Sequence, residues 1–207
     1  MQWMHFITQL GDQSVLIPLA LLLGATLWTC ETRAAARAFL SVFVVCLGTI
    51  LVLKLFFLTC GDNLVADITS PSGHTAGSTF VFGSIALVFV THAPKWGRAP
   101  IVILTTSLIA AIAASRLYLG AHSAGEVLIA LLVGCTYLFV FFLLYRKKSH
   151  PPISVVLLAA GFFSLAVVVY GNQLPAERLI KKWSQALRVQ NGNCIGPVKQ
   201  QWGNGRE

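Results

Sequence analysis

EVLIALLVGCTYLFVFFLLYR, residues 126–146, holds 19 uncharged residues between Glu126 and Arg146. That is close to the roughly 20 mostly apolar residues a helix needs to cross a hydrocarbon core. Charged side chains bound five further runs: 18 residues between Asp12 and Glu31, 16 between Arg37 and Lys54, 27 between Asp67 and Lys95, 17 between Arg98 and Arg116, and 28 between Lys148 and Glu177. Their lengths predict spans near 13–30, 37–58, 74–92, 99–117, 123–145 and 152–171. Helices satisfy their own backbone in lipid, and these runs lack the alternation of barrel strands. The expected fold class is all-α: a polytopic membrane protein with a six-helix transmembrane bundle.

Composition agrees. Of 207 residues 56% are hydrophobic and 11% charged, with mean hydropathy +0.76, whereas soluble domains carry about a quarter charged residues. A soluble enzyme and a disordered chain are both excluded. The 15 basic against 7 acidic residues read as topology and lipid contact, with no nucleic-acid partner. Seven basic residues (Arg33, Arg37, Lys95, Arg98, Arg146, Lys147 and Lys148) fall in loops on one side with a single acid, Glu31. Lys and Arg favour the cytoplasmic side, so both termini are expected outside. Trp28 and Tyr145 then belong near the inner interface, Tyr118 and Tyr170 near the outer one.

Trp3, Phe6, Ile7 and Leu10, and in the tail Ala176, Leu179, Ile180, Trp183 and Leu187, repeat at helical spacing. They predict short interfacial helices at both ends, with Pro175 in the first turn of the second and basic residues toward anionic head groups. Residues 1–190 form the expected membrane domain and 191–207 an irregular tail.

Polar groups gather at the outer ends of the second to fifth spans. Lys54, in LVLKLFFL, is either functional or a snorkelling lysine. Ser70-Pro71-Ser72-Gly73-His74 precedes a helical run. Ser72 can cap that helix, whose first N–H groups make an anion site that Gly73 lets a ligand approach. An ordinary capped helix with a surface histidine would read alike. In SRLYLGAHSAGE, residues 115–126, Arg116 offers a fork suited to phosphate. His122 and Glu126, four residues apart, share a face if the fifth span begins near 122, so the carboxylate can fix the ring's tautomer. The other reading is an interfacial Arg–Glu pair beside a solvated histidine. His5, His92 and His150 lie away from this group and are expected to have surface roles.

Together, Lys54, Pro71-Ser72-Gly73-His74 and Ser115-Arg116 with His122 and Glu126 resemble the signature of the type 2 phosphatidic acid phosphatase superfamily, KxxxxxxRP, PSGH and SRxxxxxHxxxD. The resemblance implies an integral-membrane lipid phosphatase with a catalytic trio of His122, His74 and Glu126. His122 would be the nucleophile that becomes phosphohistidine, Glu126 its orienting carboxylate, and His74 the acid for the leaving alcohol. Lys54, Ser72, Gly73 and Arg116 would bind phosphate. It implies no metal and no cofactor. The chain departs from the pattern at Gly61 and Asp62, where the family has Arg and Pro, and at Glu126, where it has Asp. The expected partners are a lipid phosphate substrate and membrane lipids. The expected location is a bacterial inner (plasma) membrane, with the site on the periplasmic or outer side. Two other readings stay open: a non-enzymatic lipid-phosphate binding or carrier protein, and a metal-dependent hydrolase using His74, His122 and Glu126.

In this topology Cys30, Cys46 and Cys135 are expected to be reduced and packed as small apolar residues. Cys60 and Cys194 are outward, and either form a disulfide or remain two thiols.

Overall fold

A computed structural model describes residues 2–60, 70–146 and 161. Six α-helices account for most of them: α1 (Gln2–Leu10), α2 (Gln13–Thr26), α3 (Arg33–Cys60), α4 (Gly73–His92), α5 (Lys95–Tyr118) and α6 (Ala124–Tyr145). No strand occurs among the described residues. α2 continues through a π-helical turn, Leu27–Glu31. Five of these segments are long and apolar enough to cross a membrane, and they coincide with the first five predicted spans. Of the predicted sixth span at 152–171 only Gly161 is described, as helical, and the tail helix and the boundary at 190 lie outside the described residues.

Helix ends overrun the apolar stretches where local capping allows it. α3 begins at Arg33 because Thr32, in extended backbone, accepts from Ala35 N at 3.1 Å, and basic side chains tolerate a helix's outer turns. α5 likewise takes in Lys95 and Arg98 after Pro94. Short connections then reverse the chain, so α4, α5 and α6 run alternately up and down.

α4 is the central helix: 67% of its spanning window is buried, against 17% for α5 and 22% for α6. Its small residues explain how neighbours approach. A Cβ on Gly134 of α6 would sit 2.7 Å from Thr79 Cβ, and one on Gly83 of α4 would sit 2.5 Å from Leu138 Cδ2. Helices in lipid gain cohesion from such close backbone packing. The hydroxyls this exposes to the core turn back on their own helix, Ser78 to Thr75 O at 3.1 Å and Thr79 to Thr75 O at 2.7 Å. Phe39 and Phe43 of α3, Phe80 of α4 and Phe141 of α6 form the aromatic centre. Phe39 stacks on Phe80 with centroids 5.6 Å apart and meets Phe141 edge-on at 5.3 Å.

At the end of the bundle holding the α2 and α4 C-termini, Glu31 Oε1 accepts from Tyr145 OH at 2.5 Å and lies 2.8 Å from His92 Nε2. His92 is therefore not a surface histidine: its side chain is 6% exposed and that of Glu31 fully buried. Tyr145, expected as an interfacial ring, is inside the bundle for the same reason, because a buried carboxylate needs donors. Trp28 does stay half exposed, with the Arg33 guanidinium 5.5 Å from its ring.

Cys30, Cys46 and Cys135 are free thiols, but only Cys46 is buried. Cys135 opens onto an apolar cavity of about 390 Å³ between α4, α5 and α6, a face the sequence cannot tell from the core face when the helix is apolar all round.

Candidate active site

The first turn of α4 begins the site. Ser72, fully buried at φ −71° and ψ 107°, is the helix cap. Its Oγ accepts from Thr75 N at 3.3 Å and from Thr75 Oγ1 at 3.0 Å. Gly73 and His74 are then the first helical residues, whose N–H groups precede the intrahelical ladder and point outward. Lys54, 6% exposed on α3, turns toward this turn: a Cβ on Gly73 would lie 3.5 Å from Lys54 Cε and 3.8 Å from Nζ. The lysine is thus drawn to the helix cap and does not snorkel away from it.

The end of α5 supplies Arg116 and the return to α6. Gly120, at φ +61°, takes the left-handed conformation that glycine adopts without a Cβ penalty. Its N–H reaches Leu117 O at 3.0 Å and Ala121 N–H reaches Arg116 O at 3.1 Å. These two bonds are a Schellman closure, which turns the chain back sharply and delivers His122. Arg116 is 9% exposed and donates from Nη1 to Thr8 Oγ1 of α1 at 2.9 Å.

His122 and Glu126 meet, but by a route other than a shared helix face. α6 starts at Ala124 with Ser123 as its cap, so His122 lies outside the helix. Ser123 Oγ accepts from Glu126 N at 3.3 Å while Glu126 Oε2 accepts from Ser123 N at 3.2 Å. In this capping box the acidic side chain folds back over the helix start, which brings Oε2 to 2.7 Å from His122 Nδ1. The other oxygen accepts from Ser70 N at 2.7 Å, tying the strand of chain before α4 to the start of α6. Side-chain exposure is 7% for His122 and 3% for Glu126.

The short segment joining α1 to α2 closes the arrangement. Asp12 caps α2, its Oδ1 accepting from Ser14 N at 2.8 Å, and its Oδ2 lies 3.5 Å from His74 Nε2. Gln13 Nε2 donates to Gly73 O at 3.4 Å. Burial pushes the Asp12 carboxyl up, yet the hydrogen bonds from His74 and from Ser14 outweigh it and hold the group down at about 2. Thr8, Asp12 and Gln13 were not singled out by the sequence reading, which takes Asp12 only as the boundary of the first span. Its one available signal is an acidic cap directly before an apolar run.

The structure thus brings Lys54, Ser72, Gly73 and His74 together at the α3–α4 corner, and His122 and Glu126 together at the α6 start. Ser70 and Glu126 join the two groups, and Arg116 enters through Thr8. Gly61, Asp62 and Cys194 lie outside the described residues, so neither the departure from the family pattern nor a Cys60–Cys194 bond has a structural description. Among the described residues no three of His, Cys, Asp and Glu form a cluster able to hold a metal ion.

No solved structure matches the chain. A curated relative is an "Uncharacterized 22.5 kDa protein in cps region" of Klebsiella pneumoniae, 29% identical over 195 residues that cover 90% of this chain and 92% of the relative. The family model described as PAP2 superfamily matches residues 56–150. That segment contains both site histidines, Arg116 and Glu126, each placed as above, and the match supports a phosphatase-type activity. Over residues 56–150 the chain is thus similar to the PAP2 superfamily, as its motifs suggest.

Proposed function

We propose that the protein is an integral-membrane lipid phosphatase that hydrolyses a phosphomonoester or pyrophosphate of a lipid through a phosphohistidine. One observation carries the reading: the 2.7 Å contact of His122 Nδ1 with Glu126 Oε2, made by a carboxylate that backbone N–H groups already hold in place. With Nδ1–H donated to Glu126, the lone pair resides on Nε2, and the ring is an oriented nucleophile. Nε2 attacks phosphorus, the P–O bond to the alcohol breaks, and His74 gives that oxygen a proton. Water then attacks the phosphohistidine, His74 takes the water's proton, and inorganic phosphate leaves.

The Lys54 ammonium, the Arg116 guanidinium and the first N–H groups of α4 carry the charge of the transferring group. Ser72 Oγ, which accepts twice from Thr75, keeps its own hydrogen to donate to a phosphoryl oxygen. Phosphoryl transfer depends chiefly on such positioning and charge stabilisation. No metal enters these steps. The glycine at 73 leaves room for the phosphate beside Lys54, where a side chain would intrude.

The substrate is read as lipid because the site sits at the ends of helices apolar enough to cross a membrane. The bias of short-loop Lys and Arg to the opposite end supports an outward-facing site, periplasmic if the chain, like its relative, is bacterial. The test is phosphate release from a panel of lipid monophosphates and pyrophosphates in mixed micelles, with chelator present and His122→Ala as control. Release that survives chelator and is lost in the variant supports the reading. Binding without release by the wild type replaces it with a carrier or binding role, and loss with chelator replaces it with metal-assisted hydrolysis.

A further inference from the structure

The segment between α1 and α2 lies outside the family match, which begins at residue 56, yet it contacts the site directly. Gly11 is pressed so closely on α4 that a Cβ there would stand 3.3 Å from His74 Cβ. Asp12 Oδ2 stands 3.5 Å from His74 Nε2, with the two side chains 16% and 14% exposed. Gln13 holds the carbonyl of Gly73. Asp12 is not free to turn away, since its other oxygen is bound to Ser14 N at 2.8 Å as the cap of α2. The carboxylate is thus aimed at the ring by a helix start, as Glu126 is aimed at His122 by another.

We propose that Asp12 is a positioning residue for His74, holding its ring by Nε2 so that Nδ1 is the atom that exchanges the proton with the leaving group and with water. The inference rests on the phosphatase reading above and deepens it. A carboxylate beside an imidazole favours its charged form. The imidazolium bears a proton on each nitrogen: that on Nε2 faces Asp12, and that on Nδ1 passes to the leaving oxygen as the P–O bond breaks. The neutral ring left behind keeps its Nε2 proton toward Asp12, and its Nδ1 lone pair accepts the proton of the attacking water. No further reactant is needed.

The test uses the full chain in detergent micelles and two substrates. Dodecyl phosphate has an alcohol that leaves only with a proton, whereas p-nitrophenyl phosphate releases an anion stable without one. Asp12→Asn is the informative variant, because asparagine caps helices as well as aspartate does and only the charge is removed. The expected result, read as kcat/KM so that only the first transfer counts, is a fall of about 10- to 100-fold on dodecyl phosphate with little change on p-nitrophenyl phosphate. In a His74→Ala background the same substitution should have no further effect on dodecyl phosphate. Equal losses on both substrates, no loss on either, or an undiminished loss in the His74→Ala background would each overturn the proposal. Asp12→Ser, another good cap too short to reach the ring, should behave as Asp12→Asn does, and wild-type behaviour in it would also overturn the proposal. A wild type that hydrolyses neither these substrates nor the lipid panel removes the phosphatase reading and this inference with it. A wild type that turns over both, with Asp12→Asn unaffected, removes this inference alone.

Discussion

Glu126 Oε2 lies 2.7 Å from His122 Nδ1 while the same side chain closes the capping box on Ser123 and holds Ser70. Orientation of the His122 ring and helix initiation are therefore carried by one carboxylate. Glutamine serves a capping box about as well as glutamate does but cannot stabilise an imidazolium. Glu126→Gln should keep the fold and lose about 10²- to 10⁴-fold in turnover; a matched melting curve and phosphate-release assay check this. Glu126→Asp, the residue common in the family, should retain measurable activity with a weaker helix start, because its shorter arm must give up the contact to Ser70 or that to Ser123.

The two histidines should separate by substitution. His122→Ala is expected to abolish turnover, since His122 forms the covalent bond in the proposed mechanism. His74→Ala should leave attack intact and slow departure of an unactivated alcohol by about 10²- to 10⁴-fold. Orthovanadate should inhibit the wild type by filling the same cradle. Rates on lipid substrate, and phosphate trapped on the protein by an alkaline quench, under which a phosphohistidine survives, measure the difference.

Space around the α1–α2 junction is a third point. A Cβ on Gly11 would stand 2.8 Å from Ile112 Cγ2, so Gly11→Val must displace α5 or the junction itself. Overpacking of this kind costs about 1–3 kcal/mol, and here it should lower activity together with the melting temperature. Gly48 of α3 has no atom within 4 Å of the corresponding position. Gly48→Ala should be neutral or slightly stabilising, by up to about 1 kcal/mol of helix propensity.

Acid stability follows from Asp12. Its folded value of about 2 lies below the ordinary 3.8, so its carboxylate stabilises the folded chain fully above about pH 4. The contribution is lost as pH falls toward 2, where the folded group also takes up a proton. The difference in melting temperature between wild type and Asp12→Asn should shrink over that interval.

His92 should matter to the fold alone. Removing it leaves the buried Glu31 carboxylate with one donor fewer, a loss of about 1–3 kcal/mol. His92→Ala is expected to melt earlier and to retain the specific activity of its folded fraction, since His92 and His74 occupy opposite ends of α4.

The spans were legible because charge spacing and span length obey the same lipid constraint. The first five agree with the structure to within a few residues. Lys54, Ser72, Gly73, His74, Arg116, His122 and Glu126 were legible because they stand in short, dense motifs. Asp12, Thr8 and Gln13 were not, since their relation to residues some 60 to 110 positions away is created only when α1 and α2 pack on α4 and α5. Spacing also gave the right pair, His122 and Glu126, for an incomplete reason: four residues suggest one face, whereas the capping box closes the distance. His92 and Tyr145 were misplaced because no local pattern distinguishes a histidine or tyrosine at a helix end from one paired to a buried carboxylate on another helix.

α2 and α4 run parallel, and each end of the pair is fastened by a histidine of α4 to a carboxylate flanking α2, His74 to Asp12 and His92 to Glu31. His92 stands 18 positions after His74, which at 1.5 Å per residue is about 27 Å, nearly the roughly 30 Å of a hydrocarbon core. The chain in effect carries a ruler cut to the membrane's thickness, with a polar mark at each boundary. A one-residue slip of α2 would advance it about 1.5 Å and rotate it about 100°, taking both marks off their partners at once. In a thicker or thinner bilayer the two helices must therefore tilt as one body, and the geometry around His74 would travel with them unchanged.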